Sequence, residues 1–321
     1  MENTKKFSND YTSLILNVLD SDIEMNNRTG VQTKVIDQPT VVSINLNDRI
    51  LPTVGTRKTF PKSAAAEVAW FIKGDQDISF IKKYAPMWDK FSETIPSVNG
   101  NFEGVVAAYG HRWRNHFGRD QLKDAIAALK KDPSNRRIYI SAWDSSTDGL
   151  LDTESKNVPC PVGYTLSIVK GKLNSAIMLR SSDLFVGLPY DIMGHALLMN
   201  AISHSLNVEL GTLHATLAHP HLYECHFDMA LESVIQKPIL PAFKMPNFSI
   251  EDIEKNPDLY VETVLSYSKE FEWPSFNPKP LVVDGKKNRM VDELSANEVV
   301  EKDNLLKMLN NEPKPRKKLK L

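Results

Sequence analysis

Residues 157–191, which read NVPCPVGYTLSIVKGKLNSAIMLRSSDLFVGLPYD, constrain the fold more than any other part of the chain. Apolar and polar residues alternate on both sides of a Lys170-Gly171 turn, and this pattern predicts a β-hairpin. A cysteine between two prolines opens the first strand, and Arg180, two serines and an aspartate follow the second. We expect the hairpin to bring the Cys160 thiol and these polar groups together at the strand ends. Such a cluster suits a small anion that carries a reactive ring.

The overall charge and the cysteine content exclude several classes of protein. The 321 residues carry a formal net charge of −1, so no general field for binding polyanions is expected. Cys160 and Cys225 are the two cysteines, which is too few for a disulfide framework and fits a reducing compartment. The sequence has no apolar run of the roughly 18 residues that a membrane span needs, no signal-peptide pattern and no zinc-ligand spacing. We therefore expect a cytoplasmic protein without a metal.

Apolar periodicity predicts the remaining secondary structure. Residues 187–191 should form a turn before a helix that starts at Ile192, and the chain after Pro241 should be strand and loop. Predicted helices cover 10–25, 62–73, 120–131, 192–206, 222–235 and 291–309, and predicted strands cover 32–36, 40–46, 137–143 and 211–217. This alternation is compatible with a sheet flanked by helices.

Cys160 has two readings. A lone cysteine is commonly a small buried hydrophobic residue, and that reading is kept for Cys225. The prolines around Cys160 instead suit a rigid presentation of the thiol, and nearby arginines at 136–137 and 180 would favour the nucleophilic thiolate. These arginines flank apolar strands, a placement that suits bidentate phosphate binding.

A carboxylate, Glu67, interrupts the apolar helix predicted over 62–73, so it either has a partner or is held for chemistry. Glu67 and five further candidate residues are each explained by a structural role when taken alone. Together they would provide a general base, an aromatic wall and hydrogen-bonding groups for a sugar. They are Glu67, Trp88, Tyr109, Asp183, His221 and Tyr223.

The order of motifs resembles the thymidylate synthase and deoxypyrimidine hydroxymethylase family over residues 10–280. The motifs are NNRTG, AEVAWFIKGD, MWD, YGHRWR, DPSNRRIYISAW, VPC, RSSDLFVGLPYD and HPHLY, and the RSSDLFVGLP block with its upstream PC is the most specific. The resemblance implies an α+β fold with a large mixed β-sheet flanked by helices, and a homodimer packed sheet to sheet. Residues 1–280 would form the catalytic domain, and 281–321 would be an extension with one helix and a basic tail.

The resemblance also implies residue roles. The catalytic groups would be Cys160, which adds to C6 of the pyrimidine, Glu67 as base and proton shuttle, Tyr109 near C5, and Asp191. The nucleotide phosphate would be held by Arg28, Arg180 and Ser181, with Arg136 and Arg137 supplied by the second subunit. His221 and Tyr223 would bind the deoxyribose 3′-hydroxyl. The folate, 5,10-methylenetetrahydrofolate, would lie against Trp88, Asp183 and Gly187.

Asp191 stands where thymidylate synthases carry asparagine. An asparagine amide donates to uracil O4 and accepts from N3–H, whereas cytosine presents an amino donor and a bare N3. Asp191 can accept from that amino group while a proton is shared between the carboxyl group and N3. A mismatch of buried donors and acceptors costs about 1–3 kcal/mol per group, which is enough to invert a preference. The alternative is that Asp191 is only a helix N-cap before Ile192.

Two further departures concern the product. Pro161 follows the cysteine where thymidylate synthases have histidine, and the chain continues past Pro280 where they end in a short apolar tail. A differently sealed site is compatible with water, rather than hydride, reaching the one-carbon intermediate.

The residues therefore favour a deoxycytidylate 5-hydroxymethyltransferase, the type that bacteriophages use to make modified cytosine; its compartment would then be the host cytoplasm. Alternatives within the same chemistry are a dCMP 5-methyltransferase, a dUMP hydroxymethylase and thymidylate synthase. An alternative from a different class is a non-catalytic nucleotide- or RNA-binding protein, and the basic tail is the feature that supports it. A solvated terminus explains that tail as well, so nucleic acid is not the expected partner.

Overall fold

Alternating apolar residues build a five-stranded mixed sheet that forms one wall of the core. The computed structural model of the chain describes residues 2–27, 29–149, 157–280 and Val283. Arg28, the predicted helix at 291–309 and the basic tail lie outside the described residues. The α+β architecture expected from the sequence, a mixed sheet flanked by helices, is confirmed.

The elements are numbered here in chain order. The helices are α1 (Glu2–Leu19), α2 (Pro61–Lys73), α3 (Tyr109–His111), α4 (Gln121–Lys131), α5 (Gly187–Leu206), α6 (Phe227–Val234), α7 (Ile250–Lys255) and α8 (Pro257–Ser268). The strands are β1 (Glu24–Met25), β2 (Thr33–Val35), β3 (Thr40–Asn45), β4 (Glu93–Ile95), β5 (Phe102–Gly104), β6 (Tyr139–Ser141), β7 (Pro161–Val169), β8 (Lys172–Leu179), β9 (Ser182–Asp183), β10 (Glu209–Leu217) and β11 (Pro220–Tyr223). Helix α3 continues as a π-helical turn over Arg112–His116.

The large sheet has the strand order β3-β10-β8-β7-β6, in which only the β10–β8 pair is parallel. The predicted β7–β8 hairpin is confirmed, and its turn residues Lys170 and Gly171 both have positive φ, as a tight two-residue hairpin requires. Because side chains alternate along each strand, Ile44, Leu213 and Ile177 share the face that is buried in the core. Helix α5, almost entirely buried, packs on β8 and β10.

A smaller sheet of order β1-β2-β11-β9 combines two strands that precede the large sheet in the chain with two that follow β8 and β10. In it β11 pairs in parallel with β9, so that His221 lies beside Asp183. The backbone N–H of Leu184 then donates to the carbonyl of His221 at 3.0 Å. Two segments that are distant in the sequence thus meet at one edge.

Helix α5 begins at Gly187, and the prediction of a turn over 187–191 was wrong. The turn lies one step earlier, where the Asp183 carboxylate accepts from the backbone N–H groups of Phe185 and Val186 at 3.0 and 3.1 Å. Pro189 does not oppose this, since proline is tolerated in the first turn of a helix. Asp191 is therefore an interior helical residue, and its reading as the N-cap is wrong.

Other boundaries also differ from the predictions. Helix α1 starts near the N-terminus and ends at Leu19, well before residue 25. The helix predicted over 222–235 starts at Phe227, because Pro220–Tyr223 pair as β11 and Glu224–His226 form a 3-10 turn. The region after Pro241 contains two helices instead of strands, and the first starts with a capping box between Ser249 and Asp252.

Gly110 marks the closest backbone approach between α2 and α3. A Cβ atom there would collide with the Phe71 backbone, which cannot give way as a flexible side chain can. We expect Gly110→Ala to lower the free energy of unfolding by about 3 kcal/mol, measured by urea denaturation. Gly118→Ala is the matched control: its φ is +71° but its Cβ would meet open space, so a loss of only about 1 kcal/mol is expected. Equal losses would contradict the close approach.

Candidate active site

A cavity of about 350 Å³ opens at the ends of β7, β8, β9 and β11 and at the start of α5. Its size and mixed lining suit a small organic ligand. Of the residues that the sequence predicted for the site, it is lined by Glu67, Trp88, Tyr109, Cys160, Arg180, Ser181, Asp183, Gly187, Asp191, His221 and Tyr223. Residues that the sequence reasoning did not single out also line it: Asn27, Thr29, Thr33, Met87, Phe91, Asn157, Val158, Val186, Tyr190, His219 and Val283.

Arg180 holds the segment that presents the thiol. Its Nε and Nη2 donate to the carbonyl oxygens of Pro159 and Val158 at 2.8 and 2.9 Å, and its backbone N–H donates to the Cys160 carbonyl at 3.0 Å. The guanidinium also lies over the Trp143 ring, 5.6 Å from its centroid. The backbone carbonyl groups of Cys160 and of the two residues before it are therefore held by Arg180, while the Cys160 side chain remains partly exposed.

Glu67 is the carboxylate in the apolar helix, and the structure gives it a partner. Trp88 Nε1 donates to Glu67 Oε1 at 2.9 Å, and the Trp88 ring packs edge-on against Trp70, Phe71 and Tyr109. Burial raises the pKa of Glu67 to about 7, against the smaller opposing effect of the Trp88 hydrogen bond. A group with a pKa near neutrality can both accept and return a proton.

Tyr109 lies between the thiol segment and the acids. Its hydroxyl hydrogen-bonds to the backbone of Cys160, and its ring contacts Phe71. Burial, followed by the nearby Cys160 and Asp191, raises the pKa of Tyr109 well above its ordinary value. The phenol is therefore neutral at physiological pH and can donate a hydrogen bond.

The Asp191 carboxyl group projects from the second turn of α5 and lines the cavity. The protein surrounds this side chain, and its remaining exposure is toward the cavity. Burial raises the pKa of Asp191 well above its ordinary range, and the charges of Glu67 and Asp183 add to the effect. The raised pKa favours the protonated carboxyl group, and in that form Asp191 can both donate and accept a hydrogen bond.

Two aromatic residues of β11 form the opposite side of the cavity. The rings of His221 and Tyr223 meet edge to face at 5.1 Å, and His219 lies beside His221. His221 Nδ1 is 3.2 Å from the His219 carbonyl oxygen, which orients the imidazole. The motif HPHLY contains His219, but only the strand pairing reveals that this residue also faces the cavity.

Two predicted phosphate ligands, Arg136 and Arg137, are not among the cavity residues. Arg136 and Arg137 are exposed and lie just before the edge strand β6, and Arg28 lies outside the described residues. Among the described residues, the arginine at the cavity is therefore Arg180. Cys225 is buried away from the cavity, as its sequence reading predicted, and burial raises the pKa of its thiol to about 11.

The thymidylate synthase family model matches residues 9–280. This chain belongs to the thymidylate synthase family. It is accordingly a transferase of one-carbon groups that acts on pyrimidine nucleotides, and its family uses methylenetetrahydrofolate as the donor. Within the described ranges, no cluster of His, Cys, Asp and Glu is arranged to hold a metal ion. In the same ranges, no helix of this thymidylate synthase family member combines the length and apolar character of a membrane span.

The raised pKa of Glu67 makes a prediction about stability. Between pH 4.5 and 7 the folded protein binds a proton at Glu67 that the unfolded chain has lost, so this group lowers stability as the pH rises through that window. Glu67→Gln removes the titrating group. We expect the difference in free energy of unfolding, variant minus wild type, to increase by on the order of 2–3 kcal/mol between pH 4.5 and pH 8. Urea denaturation at both pH values measures this, with Glu232→Gln on the exposed surface of α6 as the substitution control. A difference that is the same at both pH values would contradict the raised pKa.

Proposed function

We propose that the protein is a deoxycytidylate 5-hydroxymethyltransferase, with catalytic unit 1–280 and residues 281–321 as an appendage. The observation that carries the proposal is the position of the Asp191 carboxyl group on the cavity wall, where burial and the charges of Glu67 and Asp183 favour its protonated form. The same helix turn carries asparagine in thymidylate synthases, so this position is the one that reads the edge of the base.

A neutral carboxyl group complements cytosine when its two oxygens differ. The bare oxygen accepts from the 4-amino group, and the protonated oxygen donates to N3. Uracil needs the opposite arrangement, with the proton facing O4 and the bare oxygen facing N3–H. Which of the two Asp191 oxygens carries the proton thus decides whether cytosine or uracil is preferred. A proton on the wrong oxygen leaves buried donors and acceptors unpaired.

The chemistry proposed for the chain starts at Cys160. Its thiolate adds to C6 of the pyrimidine, and the electrons of the 5,6 double bond make C5 nucleophilic. Methylenetetrahydrofolate, when bound, supplies the one-carbon unit to C5. Tyr109, next to Cys160, is placed to assist removal of the C5 proton, and Glu67 with its pKa near 7 exchanges protons with the ring and with water. Loss of the C5 proton accompanies breakage of the bond between the one-carbon unit and the folate nitrogen, which releases tetrahydrofolate and leaves an exocyclic methylene group on C5. Water adds to that methylene group, and elimination of the Cys160 thiolate from C6 restores the 5,6 double bond of hydroxymethyl-dCMP.

Binding roles follow the two ends of the cavity. Arg180 and Ser181 suit the nucleotide phosphate, and His221 with Tyr223 suits the 3′-hydroxyl of the sugar. Trp88, with Met87 and Phe91 beside it, forms an apolar wall that fits the folate ring system. Asp183 and Gly187 lie at the start of α5 next to this space.

The experiment incubates the protein and methylenetetrahydrofolate with dCMP or dUMP and determines the product mass. We expect hydroxymethyl-dCMP from dCMP and much slower turnover of dUMP. A methylated product together with dihydrofolate absorbance would indicate a methyltransferase, and preferred turnover of dUMP would exclude the cytosine assignment. Absence of any product with retained nucleotide binding would favour a non-catalytic binding protein.

Two variants control this assay. Cys160→Ser should bind dCMP but lose at least about a thousandfold in kcat, because a hydroxyl is a far weaker nucleophile at neutral pH. Asp191→Asn should shift the preference toward dUMP by about tenfold or more, since an amide can supply the uracil pattern.

We further propose a homodimer in which the outer face of the large sheet is the interface. Val41, Thr216 and Met178 are register partners on that face, and Val41 and Met178 keep 59% and 39% of their surface exposed. Tyr139, on the edge strand β6, is 50% exposed on the same face. Exposed apolar side chains on one sheet face are typical of a surface that packs against another subunit. Arg136, just before β6, would then reach the partner's cavity.

Complementation tests the crossing of Arg136. Cys160→Ser and Arg136→Ala subunits, each defective alone, form mixed dimers in which one of two sites has both its cysteine and its arginine. Co-expression should restore about a quarter of wild-type activity, as random pairing of subunits gives. Cys160→Ser with Glu67→Gln is the control that should not complement, because both residues line the cavity of one subunit. No recovery with Arg136→Ala would contradict the proposal.

A further inference from the structure

A second, smaller cavity lies beside Asp191. Its volume is about 20 Å³, which is room for one water molecule. Asp191 lines both this cavity and the large one, so its carboxyl group lies between them. Two further residues of the small cavity, His195 and Trp113, carry the buried atoms Nε2 and Nε1, which have no hydrogen-bond partner in the described part of the protein.

The hydrogen-bonding role of each of these atoms is fixed by its surroundings. His195 Nδ1 is 2.8 Å from the Asp191 backbone carbonyl, which can only accept, so Nδ1 carries the proton. Burial lowers the pKa of His195 to about 4, and the neutral ring therefore presents Nε2 as an acceptor. Trp113 Nε1 can only donate. His195 is 7% exposed and Trp113 is 1% exposed, so bulk water does not satisfy them.

One molecule that both donates and accepts would satisfy this pair. A water accepts from Trp113 Nε1–H, donates one hydrogen to His195 Nε2, and has a second hydrogen left. Pro161 and Gly194, which complete this part of the wall, have no polar side-chain atoms that compete for it. Asp191 is then a neighbouring acceptor that connects the small cavity to the large one. Glu67, Tyr109 and Tyr190 also line both cavities and are the competing partners.

We propose that His195 and Trp113 hold a water that donates to one Asp191 oxygen and thereby leaves the proton on the other oxygen. The oxygen that accepts from this water is the one that faces the 4-amino group, and the protonated oxygen faces N3. This inference rests on the proposed function and deepens it, because it names what selects cytosine over uracil. His195 is a positioning residue that acts through Asp191.

The test compares the ratio of kcat/KM for dCMP to kcat/KM for dUMP in two variants. His195→Asn keeps an N–H near the position of Nδ1 but has no acceptor at the position of Nε2, and we expect the ratio to fall by about tenfold or more. His195→Gln can place an oxygen acceptor near Nε2 and should keep the ratio within about threefold of wild type. General damage to the site lowers both constants together and leaves the ratio unchanged, so the ratio separates positioning from a structural role.

Gly194→Ala tests the same water without changing His195. Its Cβ would meet only Val68 Cγ2, at 3.9 Å, and alanine favours the helix, so the variant should fold with an unchanged or higher Tm. The added methyl group takes up space in the small cavity, and we expect the dCMP preference to fall as in His195→Asn. A crystal structure of the wild-type protein with dCMP should contain the water on His195, Trp113 and Asp191.

The outcomes separate this inference from the proposed function. If the wild type prefers dCMP and both His195→Asn and Gly194→Ala keep that preference, the water relay is wrong and the function stands. A water bonded to Glu67 instead of Asp191 would also overturn the relay alone. If the wild-type protein prefers dUMP, both the relay and the cytosine assignment are overturned.

Discussion

The register of the β7–β8 hairpin is the constraint on which the rest of the site depends. Pro161 pairs with Leu179, so the residue before one strand and the residue after the other, Cys160 and Arg180, are held side by side. Arg180 then bonds to the carbonyl groups that precede the cysteine. A shift of one residue would turn the alternate side chains to the other face and would separate the thiol from the guanidinium.

Around this hairpin the cavity is divided by charge. Glu67, Asp183 and Asp191 gather at the start of α5, and burial together with their mutual repulsion raises the pKa of Asp191. Arg180 lies at the thiol segment, and His221 beside Asp183. The raised pKa of Asp191 suits the edge of a nucleobase, because a protonated carboxyl group offers both a donor and an acceptor there. A cationic end suits a phosphate.

The sequence predicted which residues line the cavity better than it predicted the boundaries of the elements. The hairpin and the cavity residues near it could be predicted from the sequence, because a two-residue turn and alternating side chains are local signals. The start of α5 could not be predicted, since Gly187, Pro189 and Asp191 are residue types typical of a turn. Only the structure shows that the Asp183 carboxylate accepts from the backbone N–H groups just before them. His219 was missed for a similar reason: which residues of HPHLY face the cavity depends on the pairing of β11 with β9. The His195 contact with Asp191 has a helical spacing of four residues, and that spacing could have signalled it.

The contact at Gly110 has a consequence for the geometry of the cavity. Glu67 belongs to α2 and Tyr109 to α3, and the backbones of these helices meet at Gly110 without room for a side chain. Helix α5, which carries Asp191, also packs on α2. The three side chains therefore keep their spacing through the packing of α2 against both of its neighbours. A replacement that shifts α2 would move the two carboxyl groups and the phenol relative to one another, so a change of substrate is easiest to reach by exchanging a single side chain that leaves this packing in place.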